Sequence, residues 1–123
     1  MNARLTKLQS LAQAEVEATL AALPEPLRRQ AARLPVTYQA RPDQALMNDG
    51  CDADLLGLFV GAALAEPEDS PLPPQIILFL ENLWDFADAD ENLYREEIRT
   101  TYLHELGHYL GLDEIDLEKR GLE

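Results

Sequence analysis

The chain has 123 residues, about the size of one domain, and 46% of them are hydrophobic, which excludes a disordered acidic tail. Its formal net charge of −13 and sequence pI near 4.4 exclude nucleic acid and anionic membrane surfaces as expected partners. Such a negative field attracts cations, either metal ions or Lys/Arg-rich peptides, although a plain solubility role accounts for the acidic excess equally well.

The cysteine content and the N-terminal residues indicate the cellular compartment in which the protein is expected. Cys51 is the only cysteine, so an internal disulfide is impossible and a reducing environment is expected. Arg4 and Lys7 are followed by apolar positions that polar residues repeatedly interrupt, which predicts neither a signal peptide nor a membrane span. We therefore predict a cytoplasmic protein.

The N-terminal third reads as helical. Apolar residues recur three or four positions apart over residues 4–23, which predicts an amphipathic helix. Pro24 and Pro26 interrupt it, and residues 27–34 show a second, shorter helical pattern. We interpret residues 1–34 as a helical scaffold.

Three strands are predicted within residues 35–80. Alternating apolar and polar residues predict the first over 36–41, and residues 42–54, rich in Asp, Asn and Gly, predict a loop. The second covers 55–61, where Gly57 marks a bulge or a close backbone approach. A proline-rich surface connection over residues 65–74 then leads to a third strand, 76–80, whose continuous apolar run predicts burial on both faces.

The last predicted element is a long helix over residues 89–111. We expect residues 82–90 to turn the chain towards it, Asp88 and Glu91 to form a capping pair at its start, and Gly111 to end it. Helices, then strands, then a helix predict an α+β fold in one domain over residues 1–123, with a small, mostly antiparallel sheet.

This helix contains the candidate metal-binding and catalytic residues. Residues 104–108 read His-Glu-Leu-Gly-His and contain both histidines of the chain. Because helical positions four apart differ by only about 40°, His104 and His108 project from one face and can bind one ion. Glu105 lies about 60° from His108, which suits bonding to a water on that ion rather than to the ion itself. We interpret the pattern as a zinc site; the alternative is a coincidental pair of surface histidines.

The opposite side of the helix is predicted to face the core. Its apolar residues cluster about half a turn from the histidines. They are Ile98, Tyr102, Leu103, Leu106, Tyr109 and Leu110. A helix packed from behind in this way holds the metal ligands rigidly.

A third protein ligand is required, because catalytic zinc sites normally have three and leave a fourth position for water. No third histidine exists, so the downstream carboxylates remain as donors: Asp113, Glu114, Asp116, Glu118 and Glu123. Glu114 has the expected spacing after His108 and the Gly111 turn, so it is the first choice and Asp113 the second. Alternatively, Asp113 caps a short C-terminal helix and Glu114 lies in its first turn.

Residues 104–114, His-Glu-Leu-Gly-His-Tyr-Leu-Gly-Leu-Asp-Glu, resemble the extended motif of metzincin-type zincin metallopeptidases. The chain resembles more closely the small bacterial zincin-like metallopeptidases, over residues 35–121, including Leu-Leu-Gly-Leu-Phe-Val-Gly at 55–61. The resemblance implies a minimal zincin-like fold, zinc ligands His104, His108 and Glu114, and Glu105 as general base and acid. Two features depart from the large metzincins: the third ligand is acidic, and no methionine follows the helix to form a Met-turn.

Motif and resemblance together predict a zinc-dependent metallopeptidase that hydrolyses peptide bonds through a zinc-bound water activated by Glu105. A peptide or protein substrate is expected to add to an exposed strand edge, either 55–61 or 76–80. The alternative is a zinc-binding or partner-binding module with negligible protease activity. The missing Met-turn and the few residues expected after Glu114 to close a cleft favour that alternative.

Overall fold

The computed structural model describes residues 3–61 and 73–111. The helices in these ranges are α1 (Ala3–Ala21), α2 (Glu25–Ala31), α3 (Gln44–Asn48), α4 (Leu80–Phe86) and α5 (Glu91–Leu110). The strands are β1 (Val36–Gln39), β2 (Gly57–Val60) and β3 (Gln75–Phe79). The predicted α+β class is confirmed, as are the three strands and the long first and last helices. The assignment of residues 1–123 to one domain stays a prediction.

The sheet has the order β1-β3-β2, with β3 in the centre. β3 pairs with β1 in parallel and with β2 antiparallel. The prediction of a mostly antiparallel sheet is therefore wrong for the β1–β3 pair, and the sheet is mixed. β3 is the most apolar strand, and Ile76 to Phe79 are all buried, so it takes the central position, where it lies beside β1 rather than only beside its neighbour in sequence.

Two short helices lie where the sequence predicted loop and turn. In α3, the Asp43 carboxylate accepts a hydrogen bond from the Leu46 backbone N–H at 2.9 Å and so caps a helix inside the predicted 42–54 loop. α4 follows β3 without a connecting residue, and its Leu80 and Leu83 are buried at helical spacing with Ala87, the residue that caps its C-terminal end. The apolar residues of the 82–90 segment therefore carried a helical signal that the turn prediction missed.

α5 begins two residues later than the predicted capping pair. Asp88 and Ala89 have φ values of 54° and 59°, a left-handed turn that follows α4. Asp90 is the N-cap, and its carboxylate accepts from the Leu93 N–H at 3.0 Å. At the other end, Gly111 has a φ of 73° and ends the helix in the left-handed conformation, as predicted.

The hydrophobic core surrounds α5. α1 packs against α4 and α5, while α5 also packs against β2 and β3. The buried Tyr94 hydroxyl donates a hydrogen bond to the Leu8 carbonyl at 2.8 Å and joins α5 to α1. This double packing fixes the orientation of α5 relative to the sheet. None of the helices in residues 3–61 and 73–111 has the length and hydropathy needed to cross a membrane.

Candidate metal centre

The C-terminal half of α5, from Thr101 to Leu110, is buried over most of its circumference and exposes only a narrow face. The predicted core face is confirmed, because Ile98, Tyr102, Leu103, Leu106 and Tyr109 are buried and Leu110 is partly buried against the core. His104 and His108 are exposed on the remaining face. The same packing that buries the apolar side therefore presents both imidazoles to solvent.

The two imidazoles converge on one point. Their Nε2 atoms lie 3.3 Å apart, and the ring centroids are 4.8 Å apart. Two nitrogens bound to one tetrahedral zinc at the usual bond length stand about 3.3 Å from each other, so the pair already has the separation that such an ion requires. The donor type and the distance both fit a zinc ion.

Glu105 lies beside this pair but differs from it in exposure. Its Oε2 is 4.0 Å from His104 Nε2, farther than the distance expected between two ligands of one tetrahedral ion. The side chain of His104 is 46% exposed, whereas that of Glu105 is only 12% exposed. The Glu105 carboxylate therefore lies deeper than the histidine rings. From there it can accept a hydrogen bond from a metal-bound water without being a metal ligand itself.

Strand β2 packs directly on the helix at Glu105. Gly57 is buried, and a Cβ atom at this position would lie 2.6 Å from Thr101 Cγ2 and 3.5 Å from Glu105 Cγ. Of the two predicted roles for Gly57, a bulge or a close approach, the structure shows the close approach. Thr101, which is buried one helical turn before Glu105, was not singled out from the sequence, because only the packing shows that a strand contacts it.

Comparison with protein families matches residues 31–122 to the model for zincin-like metallopeptidases. This match covers most of the chain and includes the two histidines, Glu105 and all three strands. The chain belongs to the zincin-like metallopeptidase family. A comparison with curated proteins finds no match.

The third ligand of this zincin-like metallopeptidase stays a prediction. Glu114 and Asp113 lie outside the described residues, as does the short C-terminal helix considered as an alternative. Within residues 3–61 and 73–111, no group of three or more His, Cys, Asp or Glu side chains is arranged to hold a metal ion. The described part of the site is thus a histidine pair with an adjacent carboxylate.

The structure distinguishes between the two predicted substrate edges. Residues 76–79 belong to β3, which is paired on both sides, so the prediction of a free edge there is wrong. In the described part of the zincin-like sheet, β2 pairs only with β3 and leaves its other edge open. β2 runs beside the metal-binding helix, since Gly57 approaches Thr101 and the ring of Phe59 lies 5.8 Å from that of Tyr109.

Proposed function

We propose that this protein is a zinc-dependent peptidase in which His104 and His108 bind the ion and Glu105 acts as general base. The observation that carries the proposal is the 3.3 Å separation of the two Nε2 atoms, with a largely buried carboxylate next to them. Membership of the zincin-like metallopeptidase family supports the same reaction class.

A bound zinc ion supplies a Lewis acid that polarises the peptide carbonyl and lowers the pKa of a coordinated water. Glu105 would accept a proton from the attacking water at a carboxylate oxygen and later donate it to the leaving amine. His104 and His108 would bind the ion as neutral imidazoles, each through its Nε2 atom. We further propose Glu114 as the third ligand, with Asp113 as the second choice.

Among the described strands, β2 has an open edge, and we propose this edge as the binding place for a peptide or protein substrate. A peptide added to this edge would form a fourth strand, with its backbone about 4.8 Å from that of β2. Gly57 and Phe59 place the edge strand alongside the turn of α5 that bears the histidines, so an added peptide would pass close to them. The free thiol of Cys51 supports our further proposal of a cytoplasmic location.

The proposal is tested with Glu105→Gln and His104→Ala, each compared with the wild type. Glu105→Gln keeps the shape of the side chain and both histidines, so we expect stoichiometric zinc but a loss of turnover of about a hundredfold or more. His104→Ala should lose both zinc and turnover. Zinc is measured by elemental analysis and turnover by cleavage of a peptide library.

Glu96→Gln is the matched control, because it makes the same change at an exposed position on the same helix. We expect it to keep zinc and activity. Wild-type cleavage by Glu105→Gln would contradict the assigned base. Stoichiometric zinc without any cleavage by the wild type would favour the zinc-binding or partner-binding module, and a wild type without bound transition metal would contradict both.

A further inference from the structure

The contact between Gly57 and α5 has too little space for any side chain. A Cβ at Gly57 would lie 2.6 Å from Thr101 Cγ2, well inside the separation of about 3.5–4.0 Å at which carbon atoms pack favourably. Its distances to Leu78 Cδ2 and Glu105 Cγ would be 3.4 and 3.5 Å, which are close to ordinary contact. The Thr101 methyl group is therefore the one severe obstacle among the three nearest atoms.

Backbone conformation does not explain this glycine. Gly50, Gly61 and Gly111 have positive φ angles, whereas Gly57 does not and pairs regularly with Leu78 in the sheet. Glycine at a paired strand position is unfavourable, since it lacks a side chain to pack and loses more conformational freedom on folding. The backbone conformation at residue 57 would allow any residue type. A glycine there, next to a helix, therefore indicates that β2 and α5 must approach each other closely.

We propose that Gly57 is a positioning residue that sets how deeply β2 lies on the metal-binding helix. At this depth the Thr101 methyl group and the aliphatic stem of Glu105 bound the space that a Cβ at Gly57 would enter. Relief of the clash by an added Cβ would move β2 outward by about 1 Å. That shift would move a peptide on the open edge away from the histidines and remove support from the Glu105 side chain.

This inference rests on the proposed hydrolysis for its activity readout, because misplacement by about 1 Å can cost a hundredfold in rate. The experiment uses Gly57→Ala, Thr101→Ser and the double variant. Thr101→Ser removes the obstructing Cγ2 but keeps the hydroxyl, so it creates room for the new methyl group. We expect Gly57→Ala to lower kcat/KM at least tenfold, Thr101→Ser to stay within about threefold of wild type, and the double variant to recover to that level.

Two further measurements separate positioning from a general loss of structure. Zinc affinity, measured by competition with a chromophoric chelator, should change less than about threefold in all variants, because neither substitution touches His104 or His108. Backbone amide chemical shifts in the zinc-loaded protein should move at Thr101, Glu105 and β2 in Gly57→Ala. They should return towards wild type in the double variant.

The proposal is overturned if Gly57→Ala leaves the Thr101 and Glu105 amides unchanged, or if Thr101→Ser fails to reverse the shifts. A fall in kcat/KM that matches the unfolded fraction alone would also overturn it. If the wild type cleaves no peptide, the proposed hydrolysis fails. The amide shifts and their reversal still decide whether Gly57 positions Glu105.

Discussion

Within residues 3–61 and 73–111, Glu105 is the only Asp or Glu that is buried. Burial of a carboxylate costs free energy unless positive charge or hydrogen-bond donors compensate for it. In the described part of the chain, no Lys or Arg forms an ion pair with Glu105, and its charged-group contact is the His104 ring at 4.0 Å. A divalent cation on the histidines would stabilise this carboxylate, in agreement with the role proposed for Glu105.

At the start of the same helix, substitutions test whether the N-cap is Asp90, as the structure shows, or Asp88, as the sequence predicted. Replacement of Asp90 by Ala removes the acceptor for the Leu93 N–H and should lower the free energy of unfolding by about 1 kcal/mol. Asp88→Asn is the control, since Asn tolerates the left-handed conformation and Asp88 is not the N-cap; its change should stay within about 0.5 kcal/mol. Urea denaturation measures both, and a larger loss for Asp88→Asn would contradict the observed cap.

At the scale of elements, one buried amide connects α4 to the segments around it. The Asn82 side chain donates to the carbonyls of Ala53 and Leu55 at 2.8 and 2.9 Å and accepts from Arg41 at 2.6 Å. Arg41 also pairs with Asp85 at 2.9 Å. Asn82 therefore joins the end of β1 to the segment that leads into β2, and so helps to hold the edge strand beside α5.

Asn82→Asp tests this connection with little change in shape. The new carboxylate keeps an acceptor for Arg41 but cannot donate to the two carbonyls, so we expect a loss of about 1–2 kcal/mol in the free energy of unfolding. Asp85→Asn, at the exposed partner of the same arginine, is the control and should cost less than about 0.5 kcal/mol. Equal effects in urea denaturation would show that the arginine pairing, rather than the amide donors, matters.

At the scale of the whole molecule, the acidic residues are unevenly distributed. Twelve Asp and Glu residues and no Lys or Arg lie between Arg41 and Arg95, the part of the chain that contains β2 and β3. The first 41 residues carry more basic than acidic side chains, although the whole chain has a net charge of −13. Most of the excess negative charge thus belongs to residues 42–94, and such an excess favours cationic over anionic partners.

The core also makes stability depend on pH. Burial, with a smaller contribution from Tyr38, raises the pKa of Tyr102 to about 12, and burial followed by Glu17 raises the pKa of Tyr38 to about 12. Burial also raises the pKa of Tyr94. The unfolded chain releases these protons near pH 10, whereas the folded chain retains them, so their stabilising contribution is complete below pH 10 and is lost as pH rises towards 12.

We therefore expect a lower urea midpoint at pH 11 than at pH 9. Tyr102→Phe removes one of the titrating groups. It should therefore reduce by about one the number of protons released on unfolding at pH 11, so that the free energy of unfolding falls less steeply with pH. The comparison is made with chelator present in both buffers, so that metal binding does not contribute. Equal midpoints at the two pH values would contradict the raised pKa values.

The sequence alone determined the local features of the site. The His104–His108 spacing, the apolar face of α5 and the Gly111 end depend on helical periodicity and on glycine conformation, which act within a few residues. The third ligand was reached by the spacing of the motif, and Glu114 stays a prediction. The α+β class also followed from the order of elements.

Only the tertiary structure decided that β2, unlike β3, has an open edge in the described part of the sheet, which atoms lie against Gly57 and how deeply Glu105 is buried. These depend on contacts between segments far apart in the chain: β3 takes the centre of the sheet because it is the most apolar strand, and this leaves β2 at the edge beside α5. For the same reason, only the structure selected between the two predicted roles of Gly57, a bulge or a close backbone approach, and showed that α5 is the element approached. Local patterns carry no information on such packing, because the free energy that selects it comes from burial summed over the whole core.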